Sequence, residues 1–352
     1  VNLLNEDQYW RRVLIEKPFG ANLKSAIELQ LSISKHLKET QIYRIDHYLG
    51  KSALQNILWT RFSNSIFEHM WNNEYIDHIQ ITNHETLGVG ERTQFYDATG
   101  ALRDMTQSHL LQMLALTTME KPKSFSPDDI RIEKIKLLKS IRPIPINKID
   151  KYAFRAQYKS GNIEKEGHVK GYLEELENDK SVVETYAAIK LFIDNPRWKN
   201  IPIYLRTAKR LNQSGTFISI KFKNNQGNKK SANNWMVFSI QPKESTYFEI
   251  QTKVPGLNEV DLRATRLEGI NRLDQDEKID AYETLMLDLL EGNQSRFLHI
   301  DEVKAAWSLI DPIIEYWSNN NEKVHQYTAG TSDPKESEVI FENQSQFWRR
   351  GN

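Results

Sequence analysis

The chain has 352 residues, 39% hydrophobic and 27% charged, the composition of a soluble chain with a packed core and room for two domains. Lysine plus arginine (47) equals aspartate plus glutamate (47), which excludes the broad electrostatic footprint of a nucleic-acid or membrane-surface binder but not a local basic pocket. There is no cysteine, so disulfides and thiolate metal or nucleophile sites are excluded; no apolar run reaches about 18 residues and no signal peptide opens the chain, so a cytoplasmic location is expected. The first residue is Val1 rather than methionine, which is read as a processed or truncated chain.

In chain order, "WRRVLIEKPFG" (10–20) reads as a short buried strand over Val13–Ile15, stopped by Pro18 and Gly20. "NLKSAIELQLSISKHL" follows with Asn22 as N-cap and apolar residues near helical spacing, so strand and helix make half of a βαβ unit. After "RIDHYLGK" (44–51), "SALQNILWTRF" continues as a helix. "YIDHIQITNHE" (75–85) alternates, with Ile79 and Ile81 on one face and His78 and Gln80 on the other, and reads as a half-buried strand. "GALRDMTQSHLLQMLALTTM" reads as a helix of about five turns. Strands are expected at "KYAFRAQYK", "PIYLRTA", "TFISIKF", "NWMVFSIQ" and "TYFEIQTKV", and helices at "ETYAAIKLFID", "DAYETLMLDLLEG" and "DEVKAAWSLIDPIIEYW". From about residue 70 this pattern predicts an α+β domain on a large, mainly antiparallel sheet, preceded by the half βαβ unit. "NNN" (319–321) and the Ser- and Asn-rich tail are expected to be a poorly ordered end.

The eight residues "RIDHYLGK" crowd Asp46, His47, Tyr48 and Lys51 around Gly50. A glycine before a helix, flanked by basic and hydroxyl groups, suits a phosphate: the backbone approaches, Lys51 supplies charge, and His47 and Tyr48 donate. Asp46 would repel that anion and must face something else, such as a histidine it orients. The alternative is a cationic turn with a capping aspartate. His109, between Met105 and Met113, is either a packed core histidine or, if Asp46 meets it, an imidazole held in one tautomer as a base. Asp104 stands three residues before Gln107, as in a capping box. Glu85 ends the Ile79/Ile81 stripe, at a sheet rim or a pocket edge. Lys17 sits where the first strand ends, the side of an open α/β sheet where ligands bind. Gly88 and Gly90 make a G-x-G, but position 93 is Thr93 and no dinucleotide fingerprint results. The histidines show no metal-ligand spacing, and no metal is expected.

Taken together, "IEKPFG", "RIDHYLGK", "GALRDMTQSHLLQMLAL", "TYAAIKLFIDNPRWKNIPIYLRTAKRL", "SIQP" and "DAYETLMLDLLEGNQSRF" with "DEVKAAWSLIDPI" resemble the glucose-6-phosphate dehydrogenase family, in the same order, from Trp10 to Pro334. The resemblance implies an NADP-dependent oxidation of glucose 6-phosphate to its lactone, the opening step of the oxidative pentose phosphate pathway. It implies His109 as catalytic base with Asp46 as its orienting carboxylate. It implies His47, Tyr48 and Lys51 as phosphate ligands, and Glu85 and Asp104 as ligands of sugar hydroxyls. Lys17 falls on the lysine that reaches both substrate and nicotinamide, and Lys209 on a further substrate lysine. A homodimer or homotetramer built on the large sheet is implied as well.

By the same resemblance, residues 1–40 are the C-terminal remnant of a doubly wound Rossmann dinucleotide-binding domain and 41–335 the substrate-binding and dimerisation α+β domain; 336–352 are left as a tail. About 100–150 residues of the nucleotide-binding domain are expected to precede Val1, and without them NADP binding is expected to be poor. Ser214 replaces a second basic residue of many relatives, Pro196 a tryptophan, and Glu249 a basic residue of a second, structural NADP site found in some animal enzymes, so that site is expected to be absent. Two other readings remain. One is a sugar oxidoreductase of the glucose–fructose oxidoreductase type, against which "RIDHYLGK" speaks. The other is a non-catalytic sugar-phosphate-binding or dimerisation unit.

Overall fold

Two sheets of unequal size organise the chain. The computed structural model describes residues 4–6, 9–163, 166–224, 234–255, 262–269, 280–320 and 324–351. In the smaller sheet, β1 (Val13–Ile15) and β2 (Ile42–Ile45) pair in parallel, Val13 opposite Ile42, and the helix Leu23–Ile33 joins them. That completes the βαβ unit whose first half was expected. Asn22 caps the helix: its side chain accepts from the Ser25 amide at 2.8 Å, and Ser25 Oγ accepts from the Asn22 amide at 3.1 Å. The strand Phe297–Leu298 adds to β2 in antiparallel fashion.

The larger sheet contains β3 (Ile76–His84), β4 (Ala153–Lys159), β5 (Tyr186–Leu191), β6 (Ile203–Ala208), β7 (Gly215–Phe222), β8 (Trp235–Gln241), β9 (Ser245–Lys253), β10 (Leu262–Gly269) and β11 (His325–Thr328). Their order is β10-β9-β8-β7-β3-β6-β5-β4-β11. Only β3/β6 and β4/β11 run parallel among these neighbours, so the sheet is mainly antiparallel, as expected. β5 corrects one expectation: "ETYAAIKLFID" is a strand, not a helix. Tyr186, Ala188 and Lys190 alternate with Ala187, Ile189 and Leu191, and all six are buried. A strand covered on both faces loses the polar/apolar contrast that distinguishes period 2 from period 3.6.

One face of this sheet carries the main core. Ile79, Ile81, Leu205, Ile218 and Ile220 pack there against Leu110, Leu114, Leu137, Ile310 and Ile313 of the covering helices. The other face is covered too, so β3 is not half-buried: His78, Gln80, Thr82 and His84 are as inaccessible as the isoleucines. The cover is the tail. Gln80 Nε2 donates to the Phe347 carbonyl at 2.8 Å and Gln80 Oε1 accepts from the Arg349 amide at 2.8 Å. The Trp348 indole N–H donates to Ser337 Oγ at 2.7 Å, and the Arg206 guanidinium lies 4.5 Å from the Trp348 ring. The end expected to be poorly ordered is therefore a packed strap, held by aromatic burial that its Ser/Asn composition hides. Asn321 of the "NNN" run lies outside the described residues. Glu249 pairs with Arg349 of the strap.

The predicted five-turn helix also differs. Its first residue, Gly100, stands at φ +73° and kinks it away from the preceding helix that begins at Thr93, and the segment Leu102–Leu110 winds in wide π turns before the α-helix Leu111–Thr118. Glu184 occupies the amino end: its backbone carbonyl accepts from the Ala101 amide at 3.0 Å and its carboxylate from the Leu102 amide at 2.9 Å. Asp104 is not part of a capping box, because Glu184 already satisfies the freed amides.

Candidate active site

The site forms where the two sheets meet, at the carboxyl ends of β1, β2, β3 and β6. Asp46 follows β2 directly, fully buried, and its Oδ1 accepts from the Tyr48 amide at 3.0 Å. The same oxygen is 2.6 Å from His109 Nδ1, across 63 residues of sequence. On the far side of that ring, the Lys17 ammonium donates to His109 Nε2 at 2.9 Å. An ammonium cannot accept, so Nε2 is the bare nitrogen and Nδ1 carries the proton that Asp46 receives. Burial works to raise the Asp46 pKa, but the hydrogen bond from His109, the Lys17 charge and the Tyr48 amide outweigh it and hold the carboxyl below its ordinary value.

The π turns explain why three residues of one helix reach Lys17. In a wide turn, positions four and five apart straddle one direction. Lys17 Nζ accordingly donates to the Asp104 carbonyl at 2.9 Å, Ser108 Oγ at 3.4 Å and His109 Nε2 at 2.9 Å, with the Asp104 carboxylate 3.7 Å away. Lys17 precedes a cis peptide bond to Pro18.

Residues 47–51 turn tightly beside this pair. The Tyr48 ring lies 4.5 Å from the His109 ring, and the Lys51 ammonium sits 4.7 Å from the centre of the Tyr48 ring. Burial raises the Tyr48 pKa to about 12, helped by the charges of Glu85, Asp46 and Asp104, so its phenol stays protonated. Burial lowers the Lys51 pKa, opposed by Glu244, Asp280 and Asp46. His47 Nε2 is 3.0 Å from the Tyr282 hydroxyl and 3.4 Å from Glu16. Gly50 also has a packing reason: a Cβ there would lie 2.6 Å from the Ala281 carbonyl, so glycine lets the helix Ala281–Glu291 dock. Glu85 and Lys209 follow β3 and β6, form an ion pair with each other, and Lys209 lies 5.5 Å from the Tyr96 ring. All nine expected residues thus fall in one neighbourhood.

The family model for the glucose-6-phosphate dehydrogenase C-terminal domain matches residues 58–349, and that for its NAD binding domain matches residues 1–56. The chain belongs to the glucose-6-phosphate dehydrogenase family. It is 43% identical over 359 aligned positions to glucose-6-phosphate 1-dehydrogenase of Chlamydia pneumoniae, covering 98% of this chain and 69% of the relative. Against the enzyme of that name from Rhizobium meliloti (strain 1021) it is 41% identical, covering 96% and 70%. A solved structure of glucose-6-phosphate dehydrogenase in complex with its substrate glucose-6-phosphate superposes with a TM-score of 0.89 at 33% identity, over 99% of this chain and 71% of that one. The Mycobacterium avium glucose-6-phosphate 1-dehydrogenase gives 0.81 at 28% identity, over 96% and 71%. Family membership makes the chain an oxidoreductase of the nicotinamide-dependent class. Lys17, at the carboxyl end of the parallel β1/β2 pair, fits such a cofactor's place in a βαβ fold.

Contacting residues that the sequence did not single out include Ser108 against Lys17, Tyr282 and Glu16 against His47, and Asn83 against the Tyr48 hydroxyl. Ser108 had a signal, standing four residues from Asp104 on the same helical face. Asn83 had a signal, since it is a polar residue inside the stripe Ile79, Ile81, Glu85. Among the described residues no helix is long and apolar enough to cross a membrane, and no group of three or more His, Asp or Glu side chains could hold a metal ion.

Proposed function

We propose that this chain binds D-glucose 6-phosphate and oxidises it at C1 to 6-phosphoglucono-1,5-lactone, with NADP as hydride acceptor. The observation that carries the reading is the Asp46–His109 contact, one residue away from the His47–Lys51 turn. His47, Tyr48 and Lys51 hold the phosphate, which fixes the sugar at its far end and presents C1 to the imidazole. Glu85, Asp104 and Lys209 hold ring hydroxyls. His109 Nε2 takes the C1 hydroxyl proton at the position where the Lys17 ammonium now donates, and Asp46 stabilises the resulting imidazolium. The nicotinamide, when bound, accepts the hydride. Lys17 orients both reactants, and its positive charge favours the developing alkoxide.

NADP rather than NAD, and a homodimer or homotetramer assembled on the large sheet, are the cofactor and assembly we propose by family resemblance. Comparing the two cofactors in one assay, and measuring mass in solution, checks each. Residues 1–40 are proposed as dinucleotide-binding and 41–335 as substrate-binding. The central test is calorimetry of the chain with glucose 6-phosphate and with glucose. Much tighter binding of the phosphorylated sugar is expected, and equal binding would overturn the proposal.

A further inference from the structure

Asn83 lies in the last part of β3, opposite Thr207 of β6 on one side and Thr216 of β7 on the other. It is 3% exposed, in a row otherwise filled by Ile79 and Ile81. An apolar residue would satisfy that row, so an amide there calls for partners. It has them. Nδ2 donates to the Tyr48 hydroxyl at 2.9 Å and to Thr216 Oγ1 at 2.8 Å, and Oδ1 accepts from Thr207 Oγ1 at 3.4 Å. Thr207 and Thr216 anchor the amide from the two flanking strands.

This arrangement has a chemical consequence for Tyr48. A phenol has one proton to give and lone pairs to receive. With Asn83 donating to the Tyr48 oxygen and the Thr216 hydroxyl bonded to the same phenol, the strand side of the oxygen is filled and the phenolic proton is left for an acceptor on the other side. Donation into the oxygen also strengthens the phenol as a donor, since chained hydrogen bonds polarise one another. Burial keeps that proton on the oxygen at any working pH, with the pKa pushed up to about 12.

We propose that Asn83 is a positioning residue for recognition of the substrate's phosphate: through the Thr207–Asn83–Thr216 row it fixes the Tyr48 hydroxyl as a donor to the anion. This rests on the phosphate assignment of Tyr48 made above. It predicts that Asn83 sets discrimination between phosphorylated and unphosphorylated sugar without touching either, and leaves the chemical step at His109 alone.

The test compares affinity for glucose 6-phosphate and for glucose in the full chain, for Asn83→Ala, Tyr48→Phe, the double variant, and Thr216→Val. Asn83→Ala should weaken glucose 6-phosphate binding about tenfold and leave glucose unchanged, because a directed hydrogen bond to an anion is at stake. Tyr48→Phe should do the same, and the double variant should lose little more than Tyr48→Phe alone, since both act through one proton. Thr216→Val, which frees one side of the amide, should move selectivity in the same direction by a smaller factor. An unchanged ratio in Asn83→Ala, equal loss for both sugars, or additive losses in the double variant would each overturn the proposal. If Asn83→Ala does not fold, unchanged selectivity in Thr216→Val overturns it. Should Tyr48→Phe itself leave the ratio unchanged, the phosphate assignment fails rather than the role of Asn83.

Discussion

The two faces of the nine-stranded sheet both bury ionisable groups, to opposite ends. On the helix face, Asp46, Lys17, Glu85 and Lys209 lie just past strand ends and His109 on the π segment beside them, with Lys17 and Glu85 partly accessible. On the strap face, Arg206 meets Asp333 at 2.6 Å and donates to the Arg349 carbonyl at 2.5 Å, while His84 stands 3.5 Å from Asp333. There every group is closed over by residues 331–351. Burial and shifted protonation occur on both faces, so neither alone marks a catalytic centre. What separates them is access for a ligand, together with a base whose second nitrogen faces the partly exposed Lys17 ammonium.

The largest effect that would break this contrast lies at His109. Replacing His109 by Asn in the full-length enzyme should lower kcat by about 10²–10⁴-fold with little change in KM, since general-base help is lost and binding is not. NADPH formation at a near-normal rate would remove the distinction between the faces. Asp46→Asn should follow closely. An amide nitrogen facing Nδ1 favours the tautomer with its proton on Nε2, which cannot accept, and steady-state kinetics should show a kcat loss of similar order. On the other face Trp348→Ala should cost about 3–5 kcal/mol of stability, measured by denaturant unfolding, and leave KM unchanged. A selective KM effect instead would mean the strap communicates with the site.

The smallest effect is a pH dependence belonging to the strap face. Burial, with the nearby Arg206 charge, lowers the His84 pKa to about 4 against opposing help from Asp333. The unfolded chain therefore takes up a proton at His84 first, and stability falls as pH drops from about 6.5 towards 4, by roughly 2–3 kcal/mol. Asp333 adds a second loss at lower pH. Burial works to raise its pKa, but Arg206 and His84 hold the carboxyl below its ordinary 3.8, so its stabilisation is present above that value and disappears as pH falls through the folded one. Thermal unfolding from pH 7 to pH 4 should show the first slope, and His84→Gln should flatten it; an unchanged slope would mean other groups set the acid limit.

How far these faces could be read from residues alone follows from locality. Asn22 and its Ser25 partner are three positions apart, and the N-cap was legible. The alternation of β3 was legible as well, but not the cover on His78 and Gln80, which comes from Gln346, Phe347 and Arg349. Nothing within β3 encodes that a distant segment will bond it, so the polar stripe read as solvent-facing. "YAAIKL" failed for the related reason that burial on both sides erases alternation. The Asp46–His109 pair was open on chemistry alone, either packing and capping or a dyad, and only the resemblance joined them. The meeting of His109 with Asp104 at Lys17 was hidden by the departure from 3.6 residues per turn, since α-helical spacing turns residues five apart about 140° away from each other and only the π turns bring both to one direction.

The strap sets an order for biosynthesis. Arg206 and Gln80 are made early, and the groups that bond them at the far face, Arg349 and Phe347, follow 143 and 267 residues later. Until then a nascent chain presents uncovered polar groups beside the bare rings of Tyr204 and Trp235, apolar surface of the kind that chaperones recognise. A stop codon in place of Gln346 would leave the catalytic cluster intact in sequence and still deprive the sheet of its lid.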